Sequence, residues 1–311
     1  MYYIMLILSS FLFSCGFLYN KLYKKNSKSG IKTTFYLVLF TATITCASMF
    51  ATLFLKGESF SITHFSLLMA AVYALNNFIS TYVAIKAFEY ADLSVFSIFM
   101  MMGSIVLPSL FGFLLYGEEI SLLKWVAFIF IFAALYFNVV KLDGNKNKKA
   151  TLYYLLVFTL NGTAGIISKI HQSASETLRV NTQSFLSTSA MMRIVVSIVI
   201  LLILNAKDKQ KVINVKSVIF GCASGLFNAV GNYFNLFVLI FIPVTVHSVV
   251  TTGGVLIFSA ILGLFYKEKI TKRITLSLIF ALVATVLVSL EIQNMPSLSL
   301  NDICSFVNSV F

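Results

Sequence analysis

The stretch from Gly103 to Leu122, GSIVLPSLFGFLLYGEEISL, recurs 150 residues later as GGVLIFSAILGLFYKEKITK. In that register Gly103 meets Gly253, Leu114 meets Leu264, Tyr116 meets Tyr266, Glu118 meets Glu268 and Ile120 meets Ile270. An offset of 150 is close to half of 311 residues. The chain therefore reads as a duplication, and its fold must be one that two similar halves build together.

The material of the halves fixes the solvent. Apolar residues make up 59% of the chain and charged residues 11%, with a mean hydropathy of +0.93, where soluble domains carry about 25% charged residues. This is the composition of an integral membrane protein. A helix needs about 20 apolar residues to cross the hydrocarbon core, and ten stretches meet that length: about 1–20, 32–55, 62–86, 93–115 and 121–140, then about 151–170, 182–204, 216–240, 243–265 and 273–291. The expected fold is all-α, with residues 1–140 as a first five-helix repeat and 151–291 as a second. The polar run KLDGNKNKK falls in a linker, 141–150, and residues 292–311, interrupted by Pro296, form a loose or interfacial tail.

Charge orients the spans. Of 23 lysines and arginines, 18 fall in the loops after spans 1, 3, 5, 7 and 9, 4 fall in the alternate loops, and Arg193 lies inside the seventh span. Because positive loops stay in the cytoplasm, both termini are placed on the opposite side. Five spans per half is an odd number, so equivalent loops face opposite sides and the two repeats are inverted. Inverted repeats are a transporter device, since they supply two access states from one design. With the basic residues spread over loops rather than gathered in a patch, nucleic acid is not an expected partner.

Polar groups inside the spans mark candidate binding positions, because hydrocarbon offers them no partner. The eighth span carries Asn228, Asn232 and Asn235 on one face, and the third carries Tyr73, Asn76 and Asn77. Arg193, deep in the seventh span, suits a carboxylate or phosphate at the edge of a cavity. Its alternative role is snorkelling to the interface or hydrogen bonding to helix-end carbonyls. All 11 acids lie at or beyond helix ends. Candidate substrate contacts are thus Asn77, Tyr73, Asn228, Asn232, Arg193 and Lys21, the last also suited to anchoring the first helix. Gly103, Gly253, Gly254 and Pro108 are candidates for helix packing and gating. Three histidines and four cysteines are scattered, without metal-ligand spacing, and no catalytic motif occurs. No enzyme activity, metal or cofactor is expected.

From Ala87 to Phe137, and again from Pro243 to Leu290, the chain resembles the EamA-like branch of the drug/metabolite transporter superfamily; GFLYNK, Gly16 to Lys21, is similar to that family's first helix. The resemblance implies a ten-helix secondary transporter of the plasma membrane that moves a small metabolite or amphipathic compound by alternating access, with export as the expected direction. Small multidrug exporters use a mid-helix carboxylate, which this chain lacks. The competing function is a membrane scaffold or lipid-handling protein with no transport cycle. A small-molecule substrate and the bilayer are the expected partners, and a monomer would suffice.

Overall fold

A computed structural model describes residues 2–28, 30–90, 92–116, 120–139, 145–208, 210, 212–238 and 244–294. These form ten α-helices: α1 (Tyr2–Asn26), α2 (Ile31–Lys56), α3 (His64–Ala87), α4 (Leu93–Tyr116), α5 (Leu122–Val139), α6 (Asn145–Ser173), α7 (Thr182–Lys207), α8 (Val215–Val238), α9 (Val244–Phe265) and α10 (Lys272–Asn294). Each expected span has a helix, and α1, α6, α7 and α10 overrun the apolar stretch by about a turn or more. The largest departure is α6, which begins at Asn145, so half of the expected linker is helical. Its Asn and Lys side chains have ordinary helix propensity, and charge alone does not stop a helix. Glu118 and the tail beyond Asn294 lie outside the described residues.

The helix ends are set by local chemistry. Asn181 Oδ1 accepts from Ser184 N at 2.8 Å to start α7, Asn214 Oδ1 accepts from Ser217 N at 2.8 Å to start α8, and Thr63 Oγ1 caps α3 through Ser66 N. Gly57 ends α2 in the left-handed region with φ 67°. After α9 the same conformation falls on Lys267, with φ 61°. A side chain there costs about 1 kcal/mol, and the first copy of the repeat has Gly117 at this position.

Polarity is distributed inside out. Phe54, Leu122, Phe265 and Val215 are each at least 75% exposed, whereas Ser9, Ser10, Ser14, Ser97, Ser184, Ser217 and Ser224 are fully buried. An outer surface of this kind is stable against lipid and not against water. Seven of the described helices are long and apolar enough to cross a membrane, and Leu122–Phe137 and Val249–Phe265 are shorter apolar helices. The protein is a multi-pass integral membrane protein.

Eight helices pack in a closed cycle: α1 on α8, α8 on α2, α2 on α7, α7 on α3, α3 on α6, α6 on α4, α4 on α9, and α9 back on α1. The α5/α10 pair lies outside this cycle, against α4 and α9. Lipid offers helices no hydrophobic drive to associate, so the seams rely on close approach and on hydroxyl and amide bonds to carbonyls, each about 0.6 kcal/mol. On one side, Ser9 donates to Gly231 O at 2.8 Å, Ser10 to Val250 O at 3.1 Å, Ser14 to Val255 O at 3.1 Å and Ser224 to Gly16 O at 3.0 Å. These bonds join α1 to α8 and α9. On the other side, Asn76 donates to Leu160 O at 3.1 Å and Asn161 to Met100 O at 2.6 Å, joining α6 to α3 and α4.

Candidate functional site

Around the cycle antiparallel neighbours, such as α1 and α8, alternate with parallel ones, such as α1 and α9, and the cycle has two ends. At one, Lys28 N donates to Val212 O at 2.9 Å and Ser217 Oγ to Asn26 O at 2.8 Å, which brings the basic loops after α1 and α7 together. At the other, Ser61 N donates to Ser184 Oγ at 3.2 Å and Thr63 Oγ1 to Leu178 O, joining the loops after α2 and α6.

The basic end is closed by a cluster of ions. Glu268, just past the left-handed Lys267, has a side chain only 8% exposed, and its carboxylate lies 2.5 Å from Lys21 Nζ of α1. The same carboxylate accepts from Leu93 N at 2.9 Å and so caps the start of α4. One residue after α9 thereby ties three helices. Asp92 lies 3.9 Å from Lys21, and Glu89 accepts from Lys24 at 2.9 Å and Lys86 at 3.2 Å. Directly beneath, Phe17 of α1 meets Phe96 of α4 with ring centroids 5.6 Å apart, and Leu18, Val83, Ala87, Phe88 and Leu93 fill the same buried cluster. Lys21 is thus an ion-pair partner here rather than a solvent-facing anchor.

The other sequence candidates separate. Asn77 turns its amide back to Tyr73 O at 2.9 Å, and Asn228 turns back to Ser224 O at 2.8 Å while its side chain covers Gly16. Asn235 accepts from Thr251 at 3.2 Å and through its carbonyl meets His247 at 3.0 Å, which makes it part of the α8/α9 seam. Asn232, half-buried between them, makes no hydrogen bond to a described residue. The amide stripe of α8 is therefore two packing residues around one unengaged amide.

Gly103 is a point of backbone contact: a Cβ there would lie 2.1 Å from Phe158 O, and one at Gly162 would lie 2.6 Å from Gly103 O. Pro108 rests against Gly165, where a Cβ would come within 2.8 Å of its ring. In α9 the close approach belongs to Gly254, where a Cβ would lie 2.7 Å from Ser10, whereas one at Gly253 would have ordinary contact with Leu282 at 3.4 Å. The α9 packing role expected of both glycines rests on Gly254.

Arg193 sits about 17 Å and 21 Å along the axis from the two ends of α7, at 1.5 Å per residue. It is 8% exposed, and its Nε has no hydrogen-bond partner. Cys46 of α2 and Tyr73 of α3 are the titratable groups within electrostatic range of it. The carbonyls at the ends of its own helix lie beyond the reach of its side chain. On insertion scales an arginine at this depth costs about 2.5–3.5 kcal/mol.

Residues the sequence did not single out include Glu268, the hydroxyls of α1 and His171. The imidazole of His171 is 1% exposed, bonded to Ser66 at 2.9 Å and stacked on Phe185 at 4.1 Å. The i, i+4 spacing of Ser10 and Ser14 was a legible signal for a packing face.

No family model matches this chain. No curated protein matches it. Among solved structures 23 chains match. One of them, a crystal structure of a protein, aligns with a TM-score of 0.55 and 12% identity over 93% of this chain and 99% of its own. That likeness is one of fold, and it runs the length of both chains.

Proposed function

We propose that the protein is a secondary transporter of the EamA-like type its sequence resembles, built from two inverted five-helix repeats and moving a small metabolite through the helix cycle by alternating access. Support comes from the helix pairings. Replacing each helix by the one five places away turns α1·α8 into α6·α3, α1·α9 into α6·α4, α2·α8 into α7·α3 and α9·α10 into α4·α5, and leaves α2·α7, α4·α9 and α5·α10 unchanged. The observation that carries the reading is where this exchange fails. It fails for α2·α3 and α4·α10, and for α1, which packs across the cycle on α3 and α4 at the basic end where no comparable packing of α6 on α8 and α9 exists among the described residues. Similar halves that pack differently at one end have two packings open to them, which is what alternating access requires. A scaffold has no use for that asymmetry.

With the basic loops in the cytoplasm, this state is closed to the cell interior. Reporter fusions at Asn145 and Phe311 test the orientation: activity of a cytoplasmic reporter is expected at Asn145 and not at Phe311, and the reverse pattern would invert the assignment. Transport itself is tested by comparing the metabolites of cells with and without the gene and then measuring flux of the accumulating compound in proteoliposomes. Asn232→Ala is expected to lower that flux severalfold at unchanged folded yield, because its amide holds no other helix. Unchanged flux would remove Asn232 from the path.

A further inference from the structure

Three helices meet around Arg193, and the groups they offer there are donors. On α7, Ser189 and Ser197 lie one turn to either side of Arg193, on the same face, and all three residues are buried. The Oγ of Ser189, the Nε of Arg193 and the Oγ of Ser197 each lack a hydrogen-bond partner. Tyr73 of α3 and Cys46 of α2 are within electrostatic range of the guanidinium, and neither is a carboxylate. Every carboxylate of the chain lies at or beyond a helix end. A cation and two hydroxyls left open at mid-depth are costly to the empty protein, and groups of this kind are retained where something arrives to satisfy them. The adjoining surface is apolar and aromatic. Tyr73 meets Phe185 with centroids 5.5 Å apart, and Met69, Ile167 and Met192 pack in the same cluster.

We infer that the α2/α3/α7 junction binds a small organic monocarboxylate, its carboxylate on Arg193 between Ser189 and Ser197 and its apolar body against Tyr73 and Phe185. A single guanidinium neutralises one charge, which fits a monoanion and leaves a phosphate dianion unbalanced. The planar fork of arginine matches a carboxylate with two parallel bonds. The inference rests on the transport reading for its purpose, because it names the class of compound carried, but binding can be measured without flux.

The test uses the full chain in lipid nanodiscs and radiolabelled benzoate, with benzamide, benzylammonium and inorganic phosphate as competitors. Benzoate is expected to bind saturably, benzamide to compete at least about tenfold more weakly because it lacks the charge, and the amine and phosphate not to compete. Arg193→Gln is expected to abolish binding, and Arg193→Lys to weaken it about tenfold because the fork is lost. Arg273→Gln, an exposed cation at the start of α10, should leave binding unchanged. If the Arg193 variants fail to fold, Ser189→Ala combined with Ser197→Ala decides, with weaker benzoate binding and unchanged benzamide competition expected. No benzoate binding, equal competition by benzamide or phosphate, or full binding by a folded Arg193→Gln variant would each overturn the assignment. Arginine-dependent binding with no flux in proteoliposomes would retain this site and remove the transport reading. Flux of a neutral compound without carboxylate binding would do the opposite.

Discussion

Gly103→Val is expected to abolish the folded protein. Even a Cβ at this position would fall 2.1 Å from Phe158 O, and the opposing Gly162 is equally tight against Gly103 O at 2.6 Å. The obstacle is backbone on both sides, so no side chain can rotate away, and α4 and α6 must separate along a seam that also carries the Asn161 to Met100 bond. Overpacking in a tight core costs about 1–3 kcal/mol where side chains can yield, and more where they cannot. Fluorescence-detected size exclusion of detergent extracts measures the outcome. A monodisperse peak at wild-type height would show that the seam can open and that the close approach is not required. Gly253→Ala, with only ordinary contact at its Cβ position, should behave as the parent.

Glu268→Ala is expected to unlock the basic end. The substitution removes the carboxylate that pairs with Lys21 and caps Leu93 N, and it leaves a half-buried ammonium and a bare helix start. Breaking a buried pair from one side costs about 3–5 kcal/mol when it stays buried. Here the alternative is for α1 to swing away from α4 and let water reach Lys21, which shifts the balance toward a state open at the basic end. Ser97, fully buried beneath Phe96, reports on this. With the native cysteines replaced, Ser97→Cys should react with a membrane-impermeant maleimide from the basic side at least about tenfold faster in the Glu268→Ala background, the equivalent of about 1.4 kcal/mol in the opening equilibrium. Equal rates in the two backgrounds would mean that Phe17 and its apolar neighbours close this end without the ions.

What the sequence disclosed, and what it withheld, divides along physical lines. Apolar length is a property of single stretches, so each of the ten helices was legible. The ends were less so, because helix propensity carries Asn145–Lys149 and Asn205–Lys207 past the apolar boundary. Gly103 was legible because a repeated glycine in an apolar helix has few uses. Gly253 was over-read because the register of two helices across a seam is set by their partners, and the α9 contact falls one residue on at Gly254. The amide stripe of α8 was visible as a period, but a period gives a face and not its neighbour. Only the fold shows Asn228 against Gly16 and Asn235 against α9. Glu268 was classed with the loop charges, and its partners on α1 and α4 lie 247 and 175 residues away along the chain.

The serine bonds of α1 carry a consequence for the order in which the protein is made. Ser9, Ser10, Ser14 and Gly16 find their partners on α8 and α9 across separations of 222, 240, 241 and 208 residues. The polar face of α1 thus stays uncovered until α8 and α9 have been made. Until then its hydroxyls can turn only to their own carbonyls, as Ser10 and Ser14 also do at 3.0 Å. Translation proceeds at about 5–20 residues per second, so this delay lasts on the order of ten seconds or more. During that time α1 lacks its partners in the bilayer, and the two packed groups, α1 with α8 and α9, and α6 with α3 and α4, do not correspond to what has been synthesised. Neither half of the sequence encodes a complete packed group.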